Sequence, residues 1–355
     1  MDKKTVVVGF SGGVDSAVTA LLLKEQGYDV RCLHLTSAAM YCCEDNIEAA
    51  KRSTDELGLE LSIFNRDDLF VRDVCEPFAD DYINGETPNP CVRCNKNFKF
   101  AALYEYCRLR KLDAIATGHY AANRFCAEAN TNLFFSVESN DQSYMLSRVR
   151  PRPEILFPLA GMSKAEVVAY AASRGLSSAE RPSSMEICFA SPQGGQVEAV
   201  EKFAPYEELR FTRGCFVLPD GRRIPHKGTY HYSIGQKSGL GIAVGRKLTV
   251  VDIDPDSGDV ILADEAPLAS AIRVYDFRSY APFRPDETLK LRLRHSKDFV
   301  EGRVEPDGEG EAVIRFTTPV LNPCQGQEAV VYKDYAEGRA VVAVGRIMRE
   351  GKEFV

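Results

Sequence analysis

Val6-Val7-Val8-Gly9-Phe10-Ser11-Gly12-Gly13-Val14-Asp15-Ser16 decides the fold, and Ala17-Val18-Thr19-Ala20-Leu21-Leu22-Leu23-Lys24-Glu25-Gln26-Gly27 completes the reading. Three β-branched residues in a row read as a buried parallel strand. From Ala17 to Gln26 the pattern is helical, with Val18, Leu21, Leu22 and Glu25 at helical spacing and Gly27 as the stop. Two glycines between these elements let the backbone approach an anion, and the N–H groups opening the helix point at it. The stretch is therefore a phosphate cradle at the carboxyl end of a first strand, where open α/β sheets bind ligands. No Gly-Lys-Ser/Thr follows, so it is not a Walker A loop, and the glycine spacing is not that of a dinucleotide fold.

Hydroxyls and a carboxylate surround both glycines in Ser11-Gly12-Gly13-Val14-Asp15-Ser16. The loop resembles the PP-loop of the N-type ATP pyrophosphatases. That resemblance implies a protein that holds ATP and releases pyrophosphate while an oxygen is adenylated. The loop names ATP and leaves the substrate open.

A chain of 355 residues holds two or three domains of ordinary core size. No run of about 18 apolar residues predicts a membrane span. Met1-Asp2-Lys3-Lys4 leads straight into the first strand, so no signal peptide and a cytoplasmic location are expected. Eleven cysteines in a reducing compartment are thiols, metal ligands or redox groups, not a disulfide framework. The net charge of −7 argues weakly against nucleic acid. Its distribution argues otherwise. Between Phe211 and Val250, Arg213, Arg222, Arg223, Lys227, Lys237, Arg246 and Lys247 face only Asp220, and Lys290, Arg292, Arg294, His295 and Lys297 form a second cluster. Such patches suit a phosphate backbone or a solvated strand face.

Tyr28–Leu35 reads as a second strand, 46–57 as a helix stopped by Gly58, and Leu59–Phe64 as a third strand, giving a parallel doubly wound sheet. Cys42 and Cys43 are adjacent and read as loop thiols, because neighbours cannot easily chelate one metal. After a helix from about Phe70 to Ile83, the segment Asn84-Gly85-Glu86-Thr87-Pro88-Asn89-Pro90-Cys91-Val92-Arg93-Cys94-Asn95-Lys96-Asn97 reads as an ordered loop, and Phe98–Leu109 as a helix. Cys94 then lies near a helix N-terminus, where the dipole, Lys96 and Lys99 favour the thiolate. The Cys-x-x-Cys spacing alone fits a zinc half-site, a redox pair or chance, and no second pair completes a four-cysteine zinc site.

The strand Ala114–Thr117 ends in Gly118-His119-Tyr120, a glycine that permits close approach over the nucleotide crevice; His119 is equally a loop histidine. Asn140–Leu146 reads as the opening of a helix capped by Asp141. Ser163 and Glu166 form a capping box. Cys188, between Ile187 and Phe189, reads by itself as a buried inert thiol. From about Lys202 short strands and glycine turns take over, and 226–242 mixes base-stackable rings with cations. Strands at Ala271–Tyr275, Thr288–Arg294, Ala312–Phe316, Glu328–Tyr332 and Ala340–Met348 predict a small β-barrel. The expected domains are 1–200, a central β-rich 201–268 and a C-terminal barrel 269–355.

Ser11–Ser16, Gly85–Pro90 with Cys94-Asn95-Lys96 and Lys99-Phe100, Gly118-His119-Tyr120, Asp141–Tyr144, Ile187-Cys188-Phe189 and Tyr232–Ile242 run in one order along the chain. With these segments the chain resembles the tRNA-specific 2-thiouridylases. The resemblance implies ATP held by Gly9, Phe10, Ser11, Gly12, Gly13, Val14, Asp15 and Ser16, with Leu35 and Gly118 lining the nucleotide and Mg²⁺ screening the phosphates. It implies that the C2 oxygen of a wobble uridine attacks the α-phosphate, that Cys188 carries a persulfide supplied by a cysteine desulfurase or relay protein, and that Cys94 is the nucleophile, with a transient Cys94–Cys188 disulfide. It also implies tRNA contacts through His119, Asn140, Asp141, Gln142, Arg292, Leu293, Arg294 and Gln327, with the anticodon arm as partner and no membrane or DNA. Two positions depart from the family. Cys91 replaces an aspartate that is the candidate acid/base, and Glu186 replaces a glycine. Similarity to cluster-dependent tRNA thiolases implies the alternative that Cys91, Cys94 and Cys188 hold a [4Fe–4S] cluster, against a persulfide route with Cys91 as a spare thiol. The competing functions are a PP-loop ligase acting on a small molecule and a non-catalytic tRNA-binding protein.

Overall fold

The computed structural model describes residues 3–41, 43–181, 187–296, 298–308, 310–321 and 323–349. Cys42, Glu186 and Lys297 lie outside them. In chain order the elements are β1 (Thr5–Gly9), α1 (Val14–Glu25), β2 (Asp29–Thr36), α2 (Cys43–Leu57), β3 (Glu60–Asn65), α3 (Asp67–Phe70), α4 (Glu76–Ile83), α5 (Pro90–Cys94), α6 (Ala101–Arg110), β4 (Ala114–Ala116), β5 (Ala122–Cys126), β6 (Thr131–Phe135), β7 (Ile155–Leu156), α7 (Lys164–Ser173), α8 (Gly195–Phe203) and α9 (Tyr206–Phe211). Strands follow: β8 (Cys215–Val217), β9 (Arg223–Pro225), β10 (Thr249–Asp254), β11 (Asp259–Ala263), β12 (Leu268–Ser279), β13 (Leu289–Arg292), β14 (Val300–Pro306), β15 (Glu311–Leu321), β16 (Glu328–Tyr335) and β17 (Gly338–Ile347). The chain forms two compact units: Met1–Val74 with Cys91–Phe189 and Asp334–Val341, and Cys75–Pro90 with Ala190–Lys333 and Val342–Val355.

In the first unit the sheet order is β3-β2-β1-β4-β7, all parallel. Side chains alternate across a strand. Val6 and Val8 therefore join a core with Ala17, Val18, Leu23 and Val167, while Val7 turns to the other face with Leu33, Leu103, Tyr106 and Ile115. Both faces are covered, as the continuous apolar run at β1 requires. The chain starts mid-sheet, runs to β3 and returns to β4 on the far side of β1. The switch point lies between β1 and β4, and the loops that follow these two strands face it. A hairpin of β5 and β6, without a clear signal in the sequence, pairs with the start of β17 through Phe135 and Ala340.

Two helical runs carry an inserted π turn. One joins α3 to α4 through Val71–Cys75, the other joins α5 to α6 through Asn95–Phe100. The expected loop through Asn97 is thus helical from Pro90 onward. A proline in the first turn gives up an N–H that has no helical partner anyway. Phe70 packs against Phe98 with ring centroids 4.9 Å apart, so the second π turn is wedged in the core. Such turns frequently mark functional sites. No helix follows Asp141: its carboxylate accepts from the Ser143 N–H (3.1 Å), the Val137 N–H (3.3 Å) and the Ser143 hydroxyl (2.9 Å), closing a turn. The capping box is present, with the Ser163 hydroxyl accepting from Glu166 N–H and the Glu166 carboxylate accepting from Ser163 N–H.

In the second unit, β10-β11-β8-β9 form a sheet whose core holds Phe216, Tyr232, Ile234, Val250 and Val260. Strands β12-β15-β14-β13-β16-β17 close into a six-stranded barrel through β12 and β17. The segment Cys75–Pro90 is tied into this unit. Arg346 of β17 reaches Asp81 at 2.7 Å and Glu86 at 2.5 Å, Thr87 N–H donates to Gln325 O, and Gln327 Nε2 donates to Thr87 O at 2.7 Å. No helix is long and apolar enough to cross a membrane among the described residues.

Candidate active site

The cradle after β1 is built by its own hydroxyls. Ser16 Oγ donates to Gly13 O at 2.9 Å, Ser11 N–H points to Ser16 Oγ at 3.3 Å, and Phe10 N–H donates to Leu33 O at 2.8 Å. Gly12 sits at φ +78°, and a Cβ there would lie 2.6 Å from Ala50 N of α2. Asp15, one residue into α1, accepts from Lys164 Nζ at 2.7 Å on both oxygens and from Tyr120 OH at 2.7 Å. Its charge is thereby matched inside the protein. At Gly118 a Cβ would lie 2.9 Å from the Asp15 carbonyl carbon, so the missing side chain lets this strand end pack on the start of α1. Leu35, near the end of β2, is half-buried against the core of Val7, Leu33, Leu103, Tyr106 and Ile115.

Beyond Gly118 the site continues through His119 to Lys99 and the thiols. His119 Nδ1 lies 2.8 Å from Thr117 Oγ1, and its ring stacks on Phe100. Burial, and then the Lys99 charge, push it down to about 3. It is a neutral hydrogen-bonding group at physiological pH, not a cation for phosphate. Gln142 holds the same loop, accepting from Tyr120 N–H at 3.0 Å and donating its own N–H to Tyr120 O. Asn140 is exposed at φ +53°.

The structure brings Cys91, Cys94 and Cys188 together. Their charges interact with one another and with the Lys99 ammonium, although Cys188 is distant in sequence. Cys188 is exposed, not the buried thiol its neighbours suggest; its carbonyl accepts from Tyr41 N–H at 2.8 Å, and Phe189 carries the burial by packing on Phe70. Cys94 is 7% exposed at the end of α5, one turn into a continuous helical run that opens at Pro90. The dipole expected to favour its thiolate is therefore weaker there than at the first residues of the run. Burial pushes its thiol up to about 12, with Lys99 opposing, and surrounding protein pushes Cys188 up to about 11, again against Lys99. Burial alone would lower the Lys99 value, but its interaction with the thiolate forms of Cys94, Cys91 and Cys188 raises it.

These directions fix a pH response. Both thiols are protonated at neutral pH, so alkylation by iodoacetamide rises steeply above pH 8. Lys99→Met slows labelling of Cys94 by ~10-fold at a given pH, because losing a neighbouring cation raises a thiol's pKa by about one and the thiolate fraction falls tenfold with it. Equal labelling rates in the two proteins would remove Lys99 from this role. The folded-state value of Cys94 lies above its ordinary 9.0, so stability is intact below 9 and is lost as pH rises toward 12. His119 has the opposite sign: its contribution is present above 6.5 and lost as pH falls toward 3.

Among the described residues, no three His, Cys, Asp or Glu stand at a spacing that would hold a metal ion. Cys91, Cys94 and Cys188 supply the right donor set for a cluster, but they do not stand at the spacing a shared metal needs. The three thiols as placed do not fit a [4Fe–4S] group, and no step is derived through one.

In the second unit the residues expected to meet tRNA divide between surface and core. Arg213, Arg222, Arg223, Lys227, Lys237, Arg246 and Lys247 are all exposed. Asp220, Asp259 and Asp264 pair with Arg222, Arg223 and Arg246; among the described residues the other four have no ion pair. Tyr230 and Tyr232, expected as base-stacking rings, are 7% and 6% exposed and belong to the core. Arg292 is also buried: its guanidinium lies over the rings of Phe299 (4.2 Å) and Tyr332 (5.4 Å), so it packs the barrel, while Arg294 is the exposed cation of that strand end. Leu293 is half-buried, and Gln327 is spent on Thr87.

Sequence reasoning misses Tyr120, Lys164 and Arg181 around the loop. Nothing in their local sequence marks them; Lys164 lies 149 residues from its partner Asp15 and is legible only as part of a helix start.

A glycine and hydroxyl cradle at the switch point of a doubly wound sheet, next to grouped thiols, defines a PP-loop nucleotide-binding protein. Family models described as a tRNA methyl transferase HUP domain, a tRNA methyl transferase PRC-barrel domain and an aminomethyltransferase beta-barrel domain match residues 4–192, 207–264 and 269–340. A protein named tRNA-specific 2-thiouridylase MnmA 1 from Thermoanaerobacter pseudethanolicus is 36% identical over 370 residues, covering 97% of this chain and 98% of that one. One named tRNA-specific 2-thiouridylase MnmA from Methylorubrum populi is 35% identical over 98% of this chain and 94% of its own. Among solved structures, a U34-tRNA thiolase NcsA from Methanococcus maripaludis aligns at TM-score 0.36 and 20% identity, covering 57% of this chain and 66% of that one, too loosely to bear on the site. The chain belongs to the tRNA-specific 2-thiouridylase family.

Proposed function

We propose that this protein is an ATP-dependent sulfurtransferase that converts the wobble uridine of tRNA to 2-thiouridine. The observation that carries the reading is the grouping of Cys94, Cys91 and Cys188 around Lys99, one short loop away from the Asp15 end of the phosphate cradle. A methyl-transfer reading, suggested by the descriptions of two family models, has no use for that grouping.

The cradle of Gly9, Phe10, Ser11, Gly12, Gly13, Val14, Asp15 and Ser16 holds ATP, with Leu35 beside the nucleoside and Gly118 supporting the loop from behind. The uridine C2 oxygen attacks the α-phosphorus and the bond to the β-phosphate breaks, leaving O-adenylated uridine and pyrophosphate. Mg²⁺ arrives on the triphosphate; Asp15 is already engaged by Lys164 and Tyr120. The outer sulfur of a Cys188 persulfide then bonds to C2 and AMP leaves. Cys94 thiolate attacks the Cys188 sulfur, the sulfur–sulfur bond to the base breaks with its electrons going to the thiouridine, and a Cys94–Cys188 disulfide forms. An external thiol reductant resets it with two electrons. The sulfur comes from a persulfide donor such as a cysteine desulfurase or relay protein. Residues 1–200 perform this chemistry in the cytoplasm, while the exposed cations of 201–268 and of 269–355, with Arg294 in the latter, hold phosphates of the anticodon arm. Asn140, Asp141, Gln142 and His119 meet the substrate from the site's rim; Arg292, Leu293 and Gln327 support from within.

Incubation of the purified chain with ATP, a persulfide donor and unmodified tRNA should yield one 2-thiouridine and one pyrophosphate per tRNA by nucleoside mass spectrometry and phosphate assay. ATP consumption with a small-molecule acceptor and none with tRNA would point to a ligase. Cys91→Ser should retain most activity on the persulfide route. Its complete loss, together with an iron-dependent absorption in the anaerobic wild-type protein, would replace that route by a cluster.

A further inference from the structure

Two cations reach the phosphate cradle, and they differ in how their charge is met. Lys164 is neutralised by both oxygens of Asp15. Arg181 comes from the other side: Nη2 donates to Asn46 Oδ1 at 2.6 Å, and Nη1 points to Gly12 O at 3.5 Å. Both acceptors are neutral, and among the described residues Arg181 has no carboxylate partner. A partly buried guanidinium matched only by neutral oxygens retains its attraction for an anion.

Beside it lies a cavity of about 420 Å³, bordered by Gly12, Arg52, Ser53, Ser178 and Arg181. Ser178 is 3% exposed, and its hydroxyl has no hydrogen-bond partner among the described residues. Asp45, Glu48 and Glu180 also border the space, and Glu48 is paired with Lys51. Those carboxylates disfavour a bare anion and favour one that carries its own divalent cation.

We infer that Arg181 grips the terminal phosphates of ATP and that this cavity receives the magnesium-bound pyrophosphate once the α–β bond has broken. The inference rests on the adenylating activity proposed above and adds a residue and a place for its leaving group. Arg181 does not touch the base or the sulfur.

The test is calorimetric binding of magnesium pyrophosphate and of AMP to the full-length protein, without tRNA. Arg181→Gln should weaken pyrophosphate by at least ~10-fold, the usual loss for a charged hydrogen bond, and leave AMP unchanged, since AMP lacks the terminal phosphates. Arg181→Lys should recover part of the loss. Equal weakening of AMP and pyrophosphate, or pyrophosphate binding as tight in Arg181→Gln as in the wild type, overturns the assignment. If the wild-type protein binds neither ATP nor pyrophosphate, the activity itself is wrong, a separate failure.

Discussion

Cys188→Ser stops the formation of 2-thiouridine, by at least ~10³-fold, while pyrophosphate release with tRNA continues. The two half-reactions use different parts of one unit. On the proposed route the cradle handles the phosphates, and the thiols enter only when C2 is already activated. Cys188 is exposed and therefore open to a donor's persulfide, whereas Cys94 is buried and suits the second attack. Cys94→Ser differs in a way that identifies the roles: sulfur should reach the base but remain joined to Cys188, so a covalent tRNA–protein adduct accumulates and a reductant releases it. Loss of pyrophosphate release in either variant would mean that the cysteines act earlier than proposed.

Gly12→Ala removes ATP use almost completely, for a reason unrelated to the phosphate. At φ +78° an alanine costs about 1–3 kcal/mol, and its methyl would meet the backbone of Ala49 and Ala50 at 2.9 and 2.6 Å. Backbone on both sides has no side-chain rotamer with which to yield. The loop must lift away from α2, and a displacement of about 1 Å in a positioning element lowers rates by ~10². Pyrophosphate release should fall by at least that factor, with a lower unfolding temperature. Retained affinity for ATP in a properly folded Gly12→Ala protein would mean that the loop can shift without harm.

The first strand, its loop and helix are legible because everything needed lies close together in the chain: β-branched run, glycines, hydroxyls, apolar spacing. The capping box at Ser163 is legible on the same terms. Cys94 is misplaced from sequence because the two prolines before it suggest a loop, whereas Pro90 opens a helix that runs through it. Inserted π turns leave no mark on apolar spacing that propensity could detect. The rings of Tyr230 and Tyr232 and the guanidinium of Arg292 look like surface groups by type, since residue type alone does not reveal which face of a short strand or turn is covered. The partners of Asp15 come from positions more than one hundred residues away, and only the folded sheet brings them near.

The bond between Arg346 and the pair Asp81 and Glu86 has a consequence for biosynthesis. Residues 75–90 are synthesised well before Arg346, which lies 260 residues beyond Glu86. Until β17 has been made, that early segment lacks the cation that lets its two carboxylates leave water. A chain interrupted upstream of Arg346 would keep the segment undocked and open to proteases.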